Sequence, residues 1–194
     1  MPSIYAFPPL YTRQPNSLVR KQQIDTWIDI LTEWCKSHRV FELGKDGVPV
    51  RESDASDADD GADGGTTTGN EAGRSLFKNE EINRAVPPLF IDEIWSVMAT
   101  RGVALVTEGR ASYYVLWRTL DSWASLILQW FETVGKLNQV VTLYELTESD
   151  ETADWEFHSM PLPLLHRCLK PLCNRNRATL MKDEHGTPVA LKVV

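Results

Sequence analysis

The sequence has no long apolar run, few cysteines and little excess charge outside one segment, and each shortage excludes a class of protein. Its longest mostly apolar stretch, residues 123–131, is interrupted by Ser125 and Gln129 and is too short to cross a membrane. The 3 cysteines have no disulfide-framework spacing, and the proline-broken N-terminus lacks the basic head and apolar core of a signal peptide. These absences indicate a soluble intracellular protein.

Signatures of catalytic, cofactor and metal sites are also missing. The chain has no Gly-x-Ser-x-Gly elbow and no dinucleotide-binding glycine pattern, and no lysine follows the glycines at 61–69 as a phosphate loop requires. Cys168 and Cys173 lie near His166, but thiols five positions apart on a helix face different ways and do not match zinc-ligand spacing. We therefore predict no catalytic residue, no cofactor and no metal site.

The net charge of −7 is concentrated in one segment of low complexity. Between residues 51 and 73, seven acidic residues and one arginine account for six of the seven net negative charges, so the remainder is nearly neutral. The segment contains no large apolar side chain and cannot bury enough surface to offset its ordering entropy. We predict a disordered acidic loop at 51–73 within an otherwise folded chain.

The first half of the folded part has the pattern of a helix, a strand, two helices and a β-hairpin. Asn16 is a favourable N-cap for a helix whose apolar positions repeat every three or four residues. The elements predicted after that helix are a strand interrupted by a turn (40–50), a short helix (76–82), a helix opened by Pro87 and Pro88, and a hairpin (103–117) with its turn at 108–110.

The same order repeats in the second half. The predicted elements are a helix capped by Thr119 or Asp121, a strand at 140–142, a short helix at 143–147, an acidic loop at 148–156, a helix at 161–174 and a hairpin at 178–194. The helix at 161–174 is predicted to bury five side chains: Leu164, Leu165, Cys168, Leu169 and Leu172. Pro171 is expected to kink this helix or to end it early.

Helix, strand, helix, helix and hairpin is the winged-helix arrangement, in which a β-hairpin wing follows the third helix. Two copies follow each other almost without a linker, because one module ends at Trp117 and the next begins near Asp121. The predicted fold class is therefore α+β, mainly α: two tandem winged-helix domains with an extended proline-rich N-terminal tail. The predicted boundaries are a tail at 1–15, a first domain at 16–118 and a second domain at 119–194.

The N-terminal stretch Phe7, Pro8, Pro9, Leu10 and Tyr11 is the candidate binding site. Two adjacent prolines favour an extended polyproline II conformation, and large apolar side chains flank them. A stiff extended peptide loses little entropy on docking into a groove, which makes the stretch a candidate ligand for a partner protein. Because it precedes the apolar stripe of the first helix, we expect Pro8 and Tyr11 to contribute little to the chain's own core. The alternative, that the tail packs on its own domain, remains open.

Nucleic acid is an alternative partner, because winged helices often bind DNA through the third helix and the wing. The third helix of the second module and the residues just after it contain five basic side chains: His166, Arg167, Lys170, Arg175 and Arg177. In the first module that helix carries Asp92 and Glu93 near its start, and the folded part lacks the positive excess on which phosphate binding depends. We therefore favour a protein partner. A further alternative makes Pro8–Tyr11 a ligand for the WW domains of a ubiquitin ligase.

Six segments together resemble one family of endosomal sorting proteins. They are residues 7–16, 90–95, 122–131, 141–147, 168–172 and 174–179. In their order and span they resemble the vacuolar protein sorting subunit 25 family of the ESCRT-II complex, and most closely its yeast-like fungal members, over the whole chain except the acidic loop. The resemblance implies two tandem winged-helix domains and an adaptor without catalytic activity.

The resemblance also implies partners and a location. Two copies of such a subunit join one copy each of vacuolar protein sorting subunits 22 and 36, docking through the stretch that here is 7–11. The second domain is expected to bind subunit 20 of ESCRT-III, for the sorting of ubiquitinated membrane cargo into multivesicular bodies. The protein is expected to be cytoplasmic and to reach the endosome membrane only through the complex. Some family members carry a second complete Pro-Pro-x-Tyr motif, which Ser3 interrupts here, next to Ile4 and Tyr5.

Overall fold

The computed structural model describes residues 1–50, 73–107 and 112–194. The predicted acidic loop at 51–73, apart from Gly73, and the predicted hairpin turn at 108–110 therefore lie outside the described residues. The chain divides into two compact units, Met1–Trp117 and Arg118–Val194. In each unit a three-stranded antiparallel sheet pairs the strand after the first helix with the last strand of the wing.

The described part of the first unit is built on two α-helices that pack beside the sheet. Its elements are α1 (Ser17–His38), β1 (Glu42–Gly44), β2 (Lys78–Asn79), β3 (Arg84–Ala85), α2 (Pro88–Thr100), β4 (Ala104–Val106) and β5 (Ser112–Val115). The strand order in the sheet is β1-β5-β4, and β2 pairs separately with β3. The wing is the β4–β5 hairpin, as predicted.

Helix α1 begins and packs as its sequence predicts. The side-chain oxygen of Asn16 accepts hydrogen bonds from the backbone N–H groups of Leu18 and Val19. All five positions of its predicted apolar stripe are buried: Ile24, Trp27, Ile28, Leu31 and Cys35. They share a core with Phe90, Ile94, Trp95 and Met98 of α2. Leu89, in the first turn of α2, is apolar but 82% exposed.

Residues 76–82 do not form the predicted short helix. Strand β2 pairs in antiparallel register with β3, and Asn83 supplies the left-handed residue (φ 49°) of the tight connection. Phe77 is buried, with its ring centroid 5.4 Å from that of Trp27. A single helical turn has little stability of its own, so the conformation that buries Phe77 prevails over the local pattern.

The second unit repeats the arrangement with three α-helices. Its elements are α3 (Leu120–Thr133), β6 (Val140–Thr142), α4 (Leu143–Glu148), α5 (Leu162–Asn174), β7 (Ala178–Lys182) and β8 (Pro188–Val193). The strand order is β6-β8-β7, which is the order of the first unit's sheet. Within the predicted acidic loop, Asp150–Thr152 forms a 3-10 turn.

Helix α5 confirms the predicted core positions but not an early end at Pro171. Its apolar stripe is fully buried: Leu164, Leu165, Cys168, Leu169 and Leu172. Pro171 neither ends the helix nor shortens it, since α5 continues to Asn174. Proline in the last turn removes one backbone hydrogen bond near an end that is incompletely bonded anyway, so the helix tolerates it there.

Candidate partner-docking site

The N-terminal segment is folded into two 3-10 turns, so the predicted extended tail is wrong. The first turn is Ser3–Ala6 and the second is Pro8–Tyr11. In the second, the N–H of Leu10 donates to the carbonyl of Phe7 (3.0 Å) and the N–H of Thr12 donates to that of Pro9 (3.2 Å). The φ angle that proline imposes suits the start of a helical turn as well as polyproline II, so the prolines permit both conformations.

The second turn has one buried face and one exposed face. Leu10 and Tyr11 belong to the core of the first unit, and Tyr11 is only 2% exposed. Phe7 is 51% exposed, and Pro8 and Pro9 also face solvent. The expectation that Tyr11 contributes little to the core is therefore wrong, whereas it holds for Pro8. We call the exposed side chains of Phe7, Pro8 and Pro9 the docking face.

Two side chains of helix α1 hold the second turn in place by donating hydrogen bonds to backbone carbonyls in that turn and just after it. The indole Nε1–H of Trp27 donates to the Leu10 carbonyl at 3.1 Å. The side-chain amide of Gln23 lies within hydrogen-bond distance of the carbonyls of Leu10 (2.9 Å), Thr12 (2.8 Å) and Pro9 (3.2 Å). Gln23 is a buried polar residue on the core side of α1, and the apolar pattern used to predict the helix gave no signal for it.

Aromatic rings anchor the buried face. The Tyr11 and Trp27 ring centroids lie 5.4 Å apart at an interplanar angle of 85°, the edge-to-face geometry that aromatic pairs prefer. Tyr5 contacts both rings, with centroid distances of 5.9 Å to Tyr11 and 6.2 Å to Trp27. Burial raises the pKa of Tyr11 above its ordinary value, so its hydroxyl remains a protonated donor at neutral pH.

The interrupted second motif folds as the first turn. Ile4 is exposed, whereas Tyr5 is half-buried and packed against the core. The sequence left open whether these two residues act in docking. Ile4 therefore lies on the surface, whereas Tyr5 packs against the core and helps to attach the N-terminal segment to the first unit.

Ion pairs connect Arg13, Arg20 and Lys45 to two carboxylates near the start of α2. Glu93 accepts a hydrogen bond from Arg13 Nε at 2.7 Å and lies 3.2 Å from Arg20 Nε. Asp92 lies 3.0 Å from Lys45 Nζ. All of these side chains are at least partly exposed, so the pairs add little to stability and mainly fix orientation.

The basic residues considered for nucleic-acid binding are largely engaged within the second unit. Arg175 pairs with Asp121 at 2.5 Å, and Arg177 donates from Nε to the Val194 carbonyl at 2.7 Å. His166 is half-buried, and burial lowers its pKa, so it is less readily protonated than an exposed histidine. Lys170 is exposed. Two of the five cations, Arg175 and Arg177, are therefore already engaged in contacts within the unit.

Two cations, Lys136 and Arg118, pair with carboxylates in and beside the acidic loop of the second unit. Lys136 lies 2.8 Å from Glu145 and 2.5 Å from Glu151, and Arg118 forms a two-pronged pair with Glu156 at 2.8 and 2.5 Å. The hydrogen bonds that Lys136 and Arg118 donate to these carboxylates raise the pKa of both cations.

Four apolar side chains on the sheet and on α4 of the second unit are exposed. Tyr144 of α4 is 74% exposed, and Val140 of β6, Met181 of β7 and Val189 of β8 are also exposed. Single exposed apolar residues are common on protein surfaces, and these four lie on the sheet and on the helix next to it.

The described residues offer no metal centre. Across 1–50, 73–107 and 112–194, no group of three or more His, Cys, Asp or Glu side chains is placed to hold a metal ion. Burial raises the pKa of the Cys168 thiol from 9.0 to about 12, so it is a protonated core side chain at neutral pH. Within the same ranges, the helices are too short or too polar to span a bilayer.

Comparison with known proteins relates the chain to one group. The family model for an ESCRT-II complex subunit matches residues 4–161. A vacuolar protein-sorting-associated protein 25 of Saccharomyces cerevisiae is 52% identical, in an alignment that covers 100% of this chain and 98% of the relative.

Solved structures agree with the sequence matches. The crystal structure of subunit VPS25 of the endosomal trafficking complex ESCRT-II superposes with a TM-score of 0.84 at 51% identity, covering 100% of this chain and 98% of that one. A chain in the crystal structure of the endosomal complex ESCRT-II (VPS22/VPS25/VPS36) gives a TM-score of 0.79 at 48% identity, with coverage of 100% and 98%.

Proposed function

The chain belongs to the family of ESCRT-II complex subunits, and from this membership we propose how its two units divide the work of an adaptor. The predicted fold class, α+β with tandem winged-helix domains, is confirmed by the likeness to the solved subunit. The prediction that the chain is not an enzyme is confirmed as well, because the family consists of structural subunits of a complex. Its role is that of an adaptor in endosomal protein trafficking.

We propose that the docking face binds the other ESCRT-II subunits. The observation that carries this proposal is the half-exposed Phe7 ring, which stands beside two exposed prolines on a turn whose other face is anchored in the core. A turn whose backbone is already folded before binding loses little further entropy when a partner covers it. Leu10 and Tyr11, the other two members of the predicted site, serve by holding the turn.

The proposed partners are vacuolar protein sorting subunits 22 and 36, with two copies of this chain for one copy of each. The support is the solved complex whose chains are VPS22, VPS25 and VPS36, one of which is 48% identical to this chain. We propose the stoichiometry by family resemblance. It requires one docking face to suit both partners, or two partners with similar grooves.

The second unit is proposed to recruit subunit 20 of ESCRT-III and so to pass ubiquitinated membrane cargo to vesicle formation at multivesicular bodies. The exposed side chains of Val140, Tyr144, Met181 and Val189 support a protein contact on this unit. The protein is proposed to be cytoplasmic and to reach the endosome membrane through the complex. This location follows from the family's place in endosomal trafficking.

The two alternative functions fit the structure less well. A WW domain takes a polyproline II ligand, but Pro8–Tyr11 is a 3-10 turn with its tyrosine buried. A nucleic-acid partner needs free cations, but Arg175 and Arg177 make contacts within the unit. Both observations favour the adaptor.

A pull-down with subunits 22 and 36 tests the proposed docking face. The variant is Phe7→Ala combined with Pro8→Ala, which removes exposed side chains and should leave the fold intact. Truncating an aromatic anchor of an interface costs about 2–4 kcal/mol, so we expect binding to fall by roughly 30-fold or more. The matched control is Tyr144→Ala, which removes an exposed ring from the second unit and should leave this binding unchanged.

Circular dichroism and thermal unfolding of the same variants complete the test. An intact fold with unchanged binding would contradict docking through Phe7 and Pro8. Equal losses in the variant and in the Tyr144→Ala control would contradict the assignment of this contact to the first unit.

A further inference from the structure

We infer that Tyr5 is a positioning residue for docking: it fastens the second turn to the β2–β3 hairpin so that Phe7, Pro8 and Pro9 remain turned outward. The inference rests on the proposed function, since it concerns how the docking face is held. In the sequence, Tyr5 belongs to the second motif that Ser3 interrupts, which suggests direct contact with a partner instead.

The Tyr5 side chain reaches the hairpin through its hydroxyl. The hydroxyl oxygen lies 2.9 Å from the carbonyl oxygen of Leu76 and 2.9 Å from that of Lys78. A hydroxyl has a single proton, so it is shared between these two acceptors. The contact joins the start of the chain to a strand more than seventy positions further on.

The backbone of Tyr5 is held from both sides. Its carbonyl accepts a hydrogen bond from the Tyr11 hydroxyl at 2.8 Å and another from the side-chain amide of Asn79 at 3.1 Å. Tyr11 belongs to the second turn and Asn79 to β2. Tyr5 therefore connects the second turn to the hairpin through both its carbonyl and its side chain.

Burial makes this attachment durable. Asn79 is buried, and Tyr5 packs edge-on against both Tyr11 and Trp27. Burial, reinforced by the neighbouring Tyr11, raises the pKa of Tyr5 well above its ordinary value, so the hydroxyl stays a donor throughout the physiological range. The network lets the second turn keep one orientation although the docking face itself has no cover.

The consequence for binding is a change in the fraction of molecules whose docking face is correctly placed. Apparent affinity falls in proportion to that fraction, even when no contact with the partner is lost. Removing the Tyr5 hydroxyl should release the turn part of the time. Partner binding should weaken although Phe7, Pro8 and Pro9 are unchanged.

The test uses the full-length chain with Tyr5→Phe, which keeps the ring and removes the hydroxyl, and Tyr5→Ala, which removes both. The matched control is Ser3→Ala, an exposed position in the same first turn. Amide hydrogen exchange at Leu10 and Thr12, whose N–H groups close the second turn, reports its opening in the isolated chain. Calorimetric titration with subunits 22 and 36 reports affinity.

We expect Tyr5→Phe to accelerate exchange at these two amides by about fivefold to tenfold, and each variant to weaken partner affinity by the fraction of closed turn that it loses, which is largest for Tyr5→Ala. Tyr5→Ala should do more, and Ser3→Ala should change neither quantity. Unchanged exchange in both Tyr5 variants would overturn the inference, as would a Tyr5→Ala variant whose turn amides exchange as in an open segment but whose affinity is undiminished while Phe7→Ala does weaken binding. If affinity is insensitive to Phe7→Ala as well, the docking function itself is overturned, and exchange alone then shows whether Tyr5 holds the turn.

Discussion

At the scale of single residues, the neighbours Pro8 and Tyr11 have opposite surroundings although one short motif contains both. Pro8 is exposed, whereas Tyr11 is buried between Tyr5 and Trp27. A double substitution at Pro8 and Tyr11 therefore mixes a surface effect with a core effect. Only substitutions on the docking face separate binding from folding.

Tyr11→Ala should destabilise the chain. Removing a buried aromatic ring from a core leaves a cavity and typically costs about 3–5 kcal/mol. Tyr11→Phe keeps the ring and loses the hydrogen bond to the Tyr5 carbonyl, for about 1 kcal/mol. Urea unfolding of both variants checks this. Equal and negligible losses would show that Tyr11 is not part of the folded core.

Alkaline pH should destabilise the protein through its buried thiols. The pKa of Cys168 is about 12 in the folded chain against an ordinary value of 9.0, so the thiol ionises first in the unfolded chain. Its stabilising contribution is therefore fully present below pH 9 and is lost as the pH rises toward 12.

Cys168→Ala should flatten this decline. Each such group adds at most about 1.4 kcal/mol per pH unit to the slope of unfolding free energy against pH. Unfolding curves between pH 8 and roughly 11 measure the slope. Cys35, which is also buried with a raised pKa, contributes in the same direction and remains in the variant as an internal reference. An unchanged slope would contradict the assignment to Cys168.

At the scale of elements, the well-predicted helices are those whose apolar stripe and capping residues agree. Helix α1 has both Asn16 as its cap and a regular stripe, and it begins where predicted. The stripe of α5 identified every one of its buried leucines despite Pro171. By contrast, residues 76–82 have a short pattern that fits a helical turn or a hairpin, and the burial of Phe77 decides between them.

The docking segment was only partly predictable for the same reason. Its five residues follow one another in the chain, and proline's fixed φ permits both the extended form and the 3-10 turn. The contacts that select the turn come from Gln23, Trp27 and Asn79, which are distant in sequence. Local pattern therefore identified the segment and could not identify which of its side chains point outward.

The start of α3 offers a test of capping, since the sequence allowed two caps. The structure assigns the cap to Thr119, whose hydroxyl accepts from the Ser122 N–H, whereas Asp121 lies in the first turn and pairs with Arg175. Thr119→Ala should cost about 1 kcal/mol. Asp121→Ala, which removes an exposed ion pair and a charge near the helix start, should cost less. Thermal unfolding of the two variants ranks them, and the reverse order would contradict the assignment.

At the scale of the whole molecule, two units with the same strand order carry two different surfaces. The first has the exposed Phe7, Pro8 and Pro9, and the second has exposed apolar side chains on its sheet and on α4, among them Tyr144. Net charge contributes little to either, because most of the excess lies at 51–73. An adaptor needs separate contacts for separate partners, and we propose that the two units provide one each.

The most direct test of that account is the mass of the complex formed when this chain is co-expressed with vacuolar protein sorting subunits 22 and 36. Native mass spectrometry of the co-purified material should give a complex with two copies of this chain and one of each partner. The chain with Phe7→Ala and Pro8→Ala should be absent from that complex while remaining folded. Recovery of the unaltered chain alone, with no partner attached, would contradict the account.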